Sequence, residues 1–142
     1  MSDLKDDYLS HFDKIPPHWP PSKVKDYENS FERLMVLEIA PKINPAPLMA
    51  KYKGKGIISG STRNIVLMCL LMVYQLTFKL TDQGTREALE SSIFLQTALG
   101  LEPNSDETIV EVRAIRDFRD RFVVKRDLFD AVFGAVLDGF KA

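Results

Sequence analysis

Two groups of basic residues are the strongest candidates for chemistry in this 142-residue chain. The first is Lys51, Lys53, Lys55 and Arg63, set around a glycine-bearing loop that feeds the start of an apolar helix. Backbone N–H groups at a helix start, with cations beside them, suit a phosphate; a solvated loop is the plainer alternative. The second group is Arg113, Arg116, Arg119, Arg121, Lys125 and Arg126. There Arg113–Asp117, Arg116–Asp120 and Asp117–Arg121 are spaced i,i+4, so pairing within the helix neutralises much of that surface. Arg119, Lys125 and Arg126 have no evident partner at that spacing and are the better phosphate contacts. No acid interrupts the first group, so Lys53, Lys55 and Arg63 should contribute more to nucleic-acid binding than Arg113 and Arg116.

Other chemistry has weaker support. Gly54, Gly56 and Gly60 lack the strand and spacing of a nucleotide-phosphate loop. The histidines are His11 and His18 alone, both in a proline-rich leading segment, with no acid–thiolate cluster around them. Cys69 is the single cysteine, which excludes an internal disulfide framework and any multi-cysteine zinc site. The acids Asp82, Glu87, Glu90, Glu102, Asp106, Glu107 and Glu111 mostly fall near expected helix starts, where carboxylates stabilise the helix. The chain alone is therefore expected to be non-catalytic, with no metal site and no cofactor.

Helices must position these residues. Ser22 is expected to cap a helix running to about Ile39, stopped by Pro41. Asn44-Pro45 opens a short turn or helix ending near Tyr52, followed by the Lys53-Gly54-Lys55-Gly56 loop. Ser61 or Thr62 caps a helix to about Lys79, apolar on nearly all sides from Ile65 to Tyr74 and so central and buried, with Met68, Cys69 and Met72 as core filler. Thr81 caps the next, with Asp82 in its first turn and Gly84 weakening it, and Gly100 ends it. Ser105 is expected to cap a helix to about Phe122, burying Ile109, Val112, Ile115, Phe118 and Phe122. A last helix near Asp127–Phe140 carries apolar residues at 128, 129, 132, 133, 136, 137 and 140. These readings define an all-α, compact, bundle-like domain of five to six helices over residues 23–142, with an extended proline-rich tail over 1–22.

Composition fits that picture: 45% hydrophobic, 27% charged and a formal net charge of −1. The near-neutral total hides a basic zone over 31–80, an acidic zone over 81–112 and a mixed, basic end. The longest apolar run is ten residues, whereas a membrane span takes about 20. Residues 1–13 are acidic and polar, unlike a signal peptide. A soluble, cytoplasmic protein without a membrane partner is expected.

Leu80-Thr81-Asp82-Gln83-Gly84-Thr85-Arg86-Glu87-Ala88-Leu89, then Phe94 and Leu99-Gly100-Leu101, resembles the N-terminal helical domain of DDE-type insertion-sequence transposases (the InsH-like N-terminal domain). Ser105-Asp106-Glu107-Thr108-Ile109 stands where that family has Pro-Asp-x-Thr-Leu, with Arg113 opening the Arg-rich helix. Phe31–Leu37 and Tyr52-Lys53-Gly54-Lys55-Gly56 resemble its lead-in helix and loop. The likeness covers about residues 28–125. It implies a DNA-binding and assembly domain that recognises transposon ends, with the nuclease elsewhere. Gln83, Gly84 and Glu111-Val112-Arg113 depart from the family by removing positive charge. The sequence stops at Ala142, ahead of the family's first catalytic Asp, so the resemblance assigns no metal ligand.

A stand-alone helical interaction protein of phage or mobile-element origin, binding and regulating a protein partner, is the alternative. The acidic 81–112 zone and the segment Ile15-Pro16-Pro17-His18-Trp19-Pro20-Pro21 favour it. Trp19 is either an anchor that pins the tail or part of a partner-docking peptide. The last helix presents Phe129, Phe133 and Phe140 either to the chain's own core or to a second copy, in a homodimer.

Overall fold

The computed structural model describes residues 9–48, 62–103, 105–106, 110–123 and 125–141, and every regular element among them is helical. Residues 9–12 form one turn. Helix α1 is Pro21–Glu28 and α2 is Phe31–Leu34; α2 continues into a π-helical stretch, Met35–Ile39, and a 3-10 turn, Ala40–Lys42. Then come α3 (Thr62–Phe78), α4 (Asp82–Ser91), α5 (Ile93–Ala98), α6 (Val112–Val123) and α7 (Arg126–Lys141). The all-α expectation holds.

Helix α3 is the centre of the structure. Every residue from Ile65 to Met72 is buried, so no face of these two turns meets water. A helix apolar all round must be covered on all sides, and α4 and α6 pack on it. No single described helix is long and apolar enough to cross a membrane, and α3 meets α4 at a bend of 110°. The bend is made by Lys79, which takes a left-handed φ of 54° and ends α3, and by the Leu80 N–H, which closes the last turn on the Gln75 carbonyl at 3.0 Å. Thr81 then caps α4 as expected, its Oγ1 accepting from the Gly84 N–H at 2.9 Å.

Four boundaries differ from expectation. The first helix starts two residues early, at Pro21, with Pro20 rather than Ser22 as its cap and no side-chain cap bond; proline at the first helical position loses no hydrogen bond and has its φ preset. That helix also breaks at Asn29-Ser30. Ser30 Oγ donates to the Tyr27 carbonyl at 2.6 Å and accepts from the Arg33 N–H at 3.2 Å, closing one helix and opening the next. Ser92 divides the expected 81–100 helix in the same way, accepting from the Leu95 N–H at 3.1 Å. The helix expected from Ser105 begins at Val112; Ser105 Oγ donates back to the Glu102 carbonyl at 2.7 Å.

Much of the leading segment is packed rather than free. Phe12 and Trp19 are buried in the core. The Trp19 ring meets Tyr27 at 5.7 Å and Phe94 at 5.8 Å between centroids, and Lys23 Nζ lies 4.7 Å over it. Asp13 is tied to Arg33 at 2.7 Å. Of the two readings of Trp19, the anchor is the one that matches its burial.

Candidate nucleic-acid interface

The α6–α7 hairpin carries most of the described cations of the expected set. Its inner face is apolar: Ile115, Phe118 and Phe122 of α6 meet Leu128, Val132, Phe133 and Val136 of α7 in the core. Phe122 contacts Phe118, Phe129 and Phe133 at 5.6–6.0 Å between centroids. With that stripe turned inward, Arg113, Arg116, Lys125 and Arg126 are left exposed. The Arg113 and Arg126 side chains are 83% and 88% exposed. Arg113 pairs with Asp117 at 3.8 Å, as its spacing predicts, whereas Arg116 reaches Asp117 at 3.9 Å rather than Asp120. Exposed pairs this long contribute about 0–1 kcal/mol each. A guanidinium so loosely held exchanges a carboxylate for a phosphate at little cost.

Two expectations for this hairpin need correction. Arg126 has a helical partner, Asp130, four residues on, at 3.9 Å. Arg119 is bound across helices: its guanidinium hydrogen-bonds Asp82 at the first turn of α4 and lies 3.7 Å from Asp120. It is two-thirds buried and is engaged in holding α6 on α4, so it is not offered to a phosphate. Asp82 also accepts from the Gln75 amide of α3 at 2.8 Å. One carboxylate thus joins α3, α4 and α6, which makes Asp82 of the transposase-like stretch a fold-determining residue. The sequence does hold a signal for this: Gln75 is a lone polar residue at the end of the apolar run of α3. Its burial follows from helical phase, but its partner across a bend cannot be read from spacing.

Arg63 is exposed in the first turn of α3; Lys51, Lys53 and Lys55 lie outside the described residues. Among the residues expected to meet a protein partner, Trp19 and Phe133 are buried in the chain's own core, which corrects that expectation for both. Phe129 is half-buried, its ring 5.1 Å from that of Phe133, and the Phe140 side chain lies outside the described residues. The α7 stripe is thus largely spent on the chain's own core, with Leu137 exposed beside it.

Buried titratable groups sit away from the hairpin surface. Burial pushes the Cys69 thiol far above its usual range, as suits core filler. Burial likewise raises Tyr27 to about 12, with Arg33 pulling the other way, and raises Tyr74 to about 12, helped by the Glu32 carboxylate. Among the described residues, no group of three or more His, Cys, Asp or Glu side chains is placed to hold a metal ion. No family model, no curated protein and no solved structure matches the chain.

Proposed function

We propose that the chain is a non-catalytic DNA-binding and assembly module, similar in role to the transposase N-terminal helical domain that its sequence resembles. The observation that supports this reading is the exposed cation edge of the α6–α7 hairpin. Arg113, Arg116 and Arg126 stand on a core-backed pair of helices in ion pairs no shorter than 3.8 Å, and Lys125 is exposed at the turn between them. Such an edge contacts the phosphate backbone, so affinity comes mainly from counterion release. Arg63 and the lysines at 51, 53 and 55 extend the basic set. Binding of a 25-base-pair duplex, followed by fluorescence anisotropy at several salt concentrations, tests the reading. The affinity should fall steeply with salt, and Lys125→Glu with Arg126→Glu should lower the slope of log K against log salt by about two units.

A second reading, a protein-binding module, is favoured by a different observation. Leu34, Leu37, Leu76 and Phe78 are large apolar side chains left exposed around α2, the π-helical stretch and the end of α3. Under the first reading, Leu37→Asp leaves the DNA titration unchanged.

A further inference from the structure

Aromatic and aliphatic side chains reach the surface together where α2 meets the end of α3. Phe31 of α2 meets Phe78 of α3 edge-on at 5.4 Å between centroids, and Phe78 meets Tyr74 at 4.6 Å, so three rings form one cluster across the two helices. The cluster is not closed over. Phe78 is 47% exposed, and Leu34, about one turn on from Phe31, is 40% exposed. The π-helical stretch that follows buries Met35, Val36 and Ile39 and leaves Leu37 half exposed. Apolar side chains gathered on a polar-rimmed surface mark interaction sites, and π-helical turns are frequent at functional sites. The rim here is acidic. Tyr74 Oη donates to Glu32 Oε2 at 3.2 Å, which fixes that carboxylate against the rings. Glu38, four residues after Leu34, is exposed. Among the described residues neither acid forms an ion pair. Residues 26–38 hold four carboxylates and one base, Arg33, and Arg33 is spent on Asp13 at 2.7 Å. Lys42 and Lys79 flank the surface in sequence and pair with neither acid.

We propose that this surface docks a segment of another protein that presents arginine beside apolar side chains. The apolar side chains cover Leu34, Leu37 and Phe78, and the guanidinium takes the Glu32 carboxylate. Arginine suits the place better than lysine, because a planar guanidinium pairs with a carboxylate and lies on an aromatic face at the same time. A second copy is the less fitting occupant. Packed on itself about a two-fold axis, the surface would bring Glu32 and Glu38 against the same acids, and like charges facing each other are unfavourable. The proposal rests on the protein-binding reading of these side chains and is independent of the DNA contact at α6–α7.

The probe is a fluorescein-labelled peptide of about 14 residues, long enough to form a helix on the surface, with leucine along one helical face and arginine beside it. The control peptide has glutamate for every arginine. Anisotropy titrations of the full chain at physiological salt should give a dissociation constant of about 10 µM for the arginine peptide and at least about tenfold weaker binding for the control. Glu32→Gln keeps an acceptor for the Tyr74 hydroxyl and removes the charge, so it should fold normally and weaken the arginine peptide about tenfold. Leu34→Ser, at an exposed position, should weaken both peptides. Glu87→Gln, an exposed acid on α4, should change neither. Equal affinity for the two peptides, full affinity in Glu32→Gln, or an equal loss in Glu87→Gln would overturn the arginine assignment and leave the protein-binding reading standing. Binding of neither peptide at ~100 µM would overturn both. A dimer in sedimentation that Leu34→Ser dissolves would give the surface to a second copy and overturn the proposal.

Discussion

Tyr27→Phe removes one oxygen from the interior and leaves every ring contact in place. The Tyr27 ring packs edge-on against Trp19 at 5.7 Å and Phe94 at 5.3 Å. The residue is fully buried, and its hydroxyl lies near the Arg33 guanidinium without a well-formed hydrogen bond. A buried, unsatisfied hydroxyl costs about 1–3 kcal/mol, so the variant should be more stable by about 1 kcal/mol. With m of about 2 kcal/mol/M, the urea midpoint at pH 7 should rise by roughly 0.5 M. The alkaline limb tests the same burial independently. Burial, opposed by Arg33, raises the Tyr27 hydroxyl from 10.0 to about 12. A group raised in the folded state supports folding fully below its unfolded pKa, and that support is lost as pH climbs from 10 towards 12. The full loss is on the order of 2–3 kcal/mol, about half of it reached by pH 11, and the Phe variant escapes it. Tyr74 and Cys69 are raised in the same direction and keep their effect in both proteins. Urea titrations at pH 7 and at about pH 11 therefore suffice. A lower midpoint for Tyr27→Phe at pH 7, or a parallel loss of stability in the two proteins at high pH, refutes the reasoning.

Lys79→Gly should raise the thermal midpoint, because Lys79 holds a φ of 54°, which costs a side-chain-bearing residue about 1 kcal/mol or more. Asp82→Ala should lose about 1–3 kcal/mol by leaving the Gln75 amide and Arg119 without their acceptor; adding Arg119→Met should recover part of it in a double-mutant cycle by urea unfolding. Phe133→Asp should unfold the chain, read by circular dichroism, since it puts a charge among Phe122, Phe129 and Val132. A folded, monomeric Phe133→Asp protein would instead place that face at an interface between copies.

Legibility tracked how local the cause was. The apolar run Ile65–Tyr74 predicts a central helix from its composition alone, and α3 is that helix. Thr81 followed by Asp82 predicts a cap within three residues, and the cap bond is there. The breaks at Ser30 and Ser92 are also local, but serine within an apolar period reads as a tolerated polar residue until its hydroxyl is seen on the neighbouring backbone. Tertiary pairing was the illegible part. Arg119 looks free along its own helix because its partner lies 37 positions away at the start of α4. Trp19 reads from the sequence as an anchor or a docking peptide, and the cover that makes it an anchor, Tyr27 and Phe94 of α5, cannot be read from the prolines around it. Arg126 is the opposite case, since Asp130 stands at ordinary helical spacing. Of the candidate interface, the residue types were readable, and their division into free and engaged cations required the packing of α6 on α4.

The DNA-binding account rests on exposed cations exchanging weak carboxylate partners for phosphates, and the salt dependence of duplex binding tests it most directly. Anisotropy titrations of the wild-type chain should give a log–log slope of at least about −3 to −4 from the four hairpin cations at ~0.9 each, and a steeper one for every contact that Arg63 and the lysines at 51, 53 and 55 add. The Lys125→Glu, Arg126→Glu protein should retain the wild-type fold and lose about two units of that slope. A wild-type affinity that does not change with salt, or a slope left intact by the double substitution, would contradict the account.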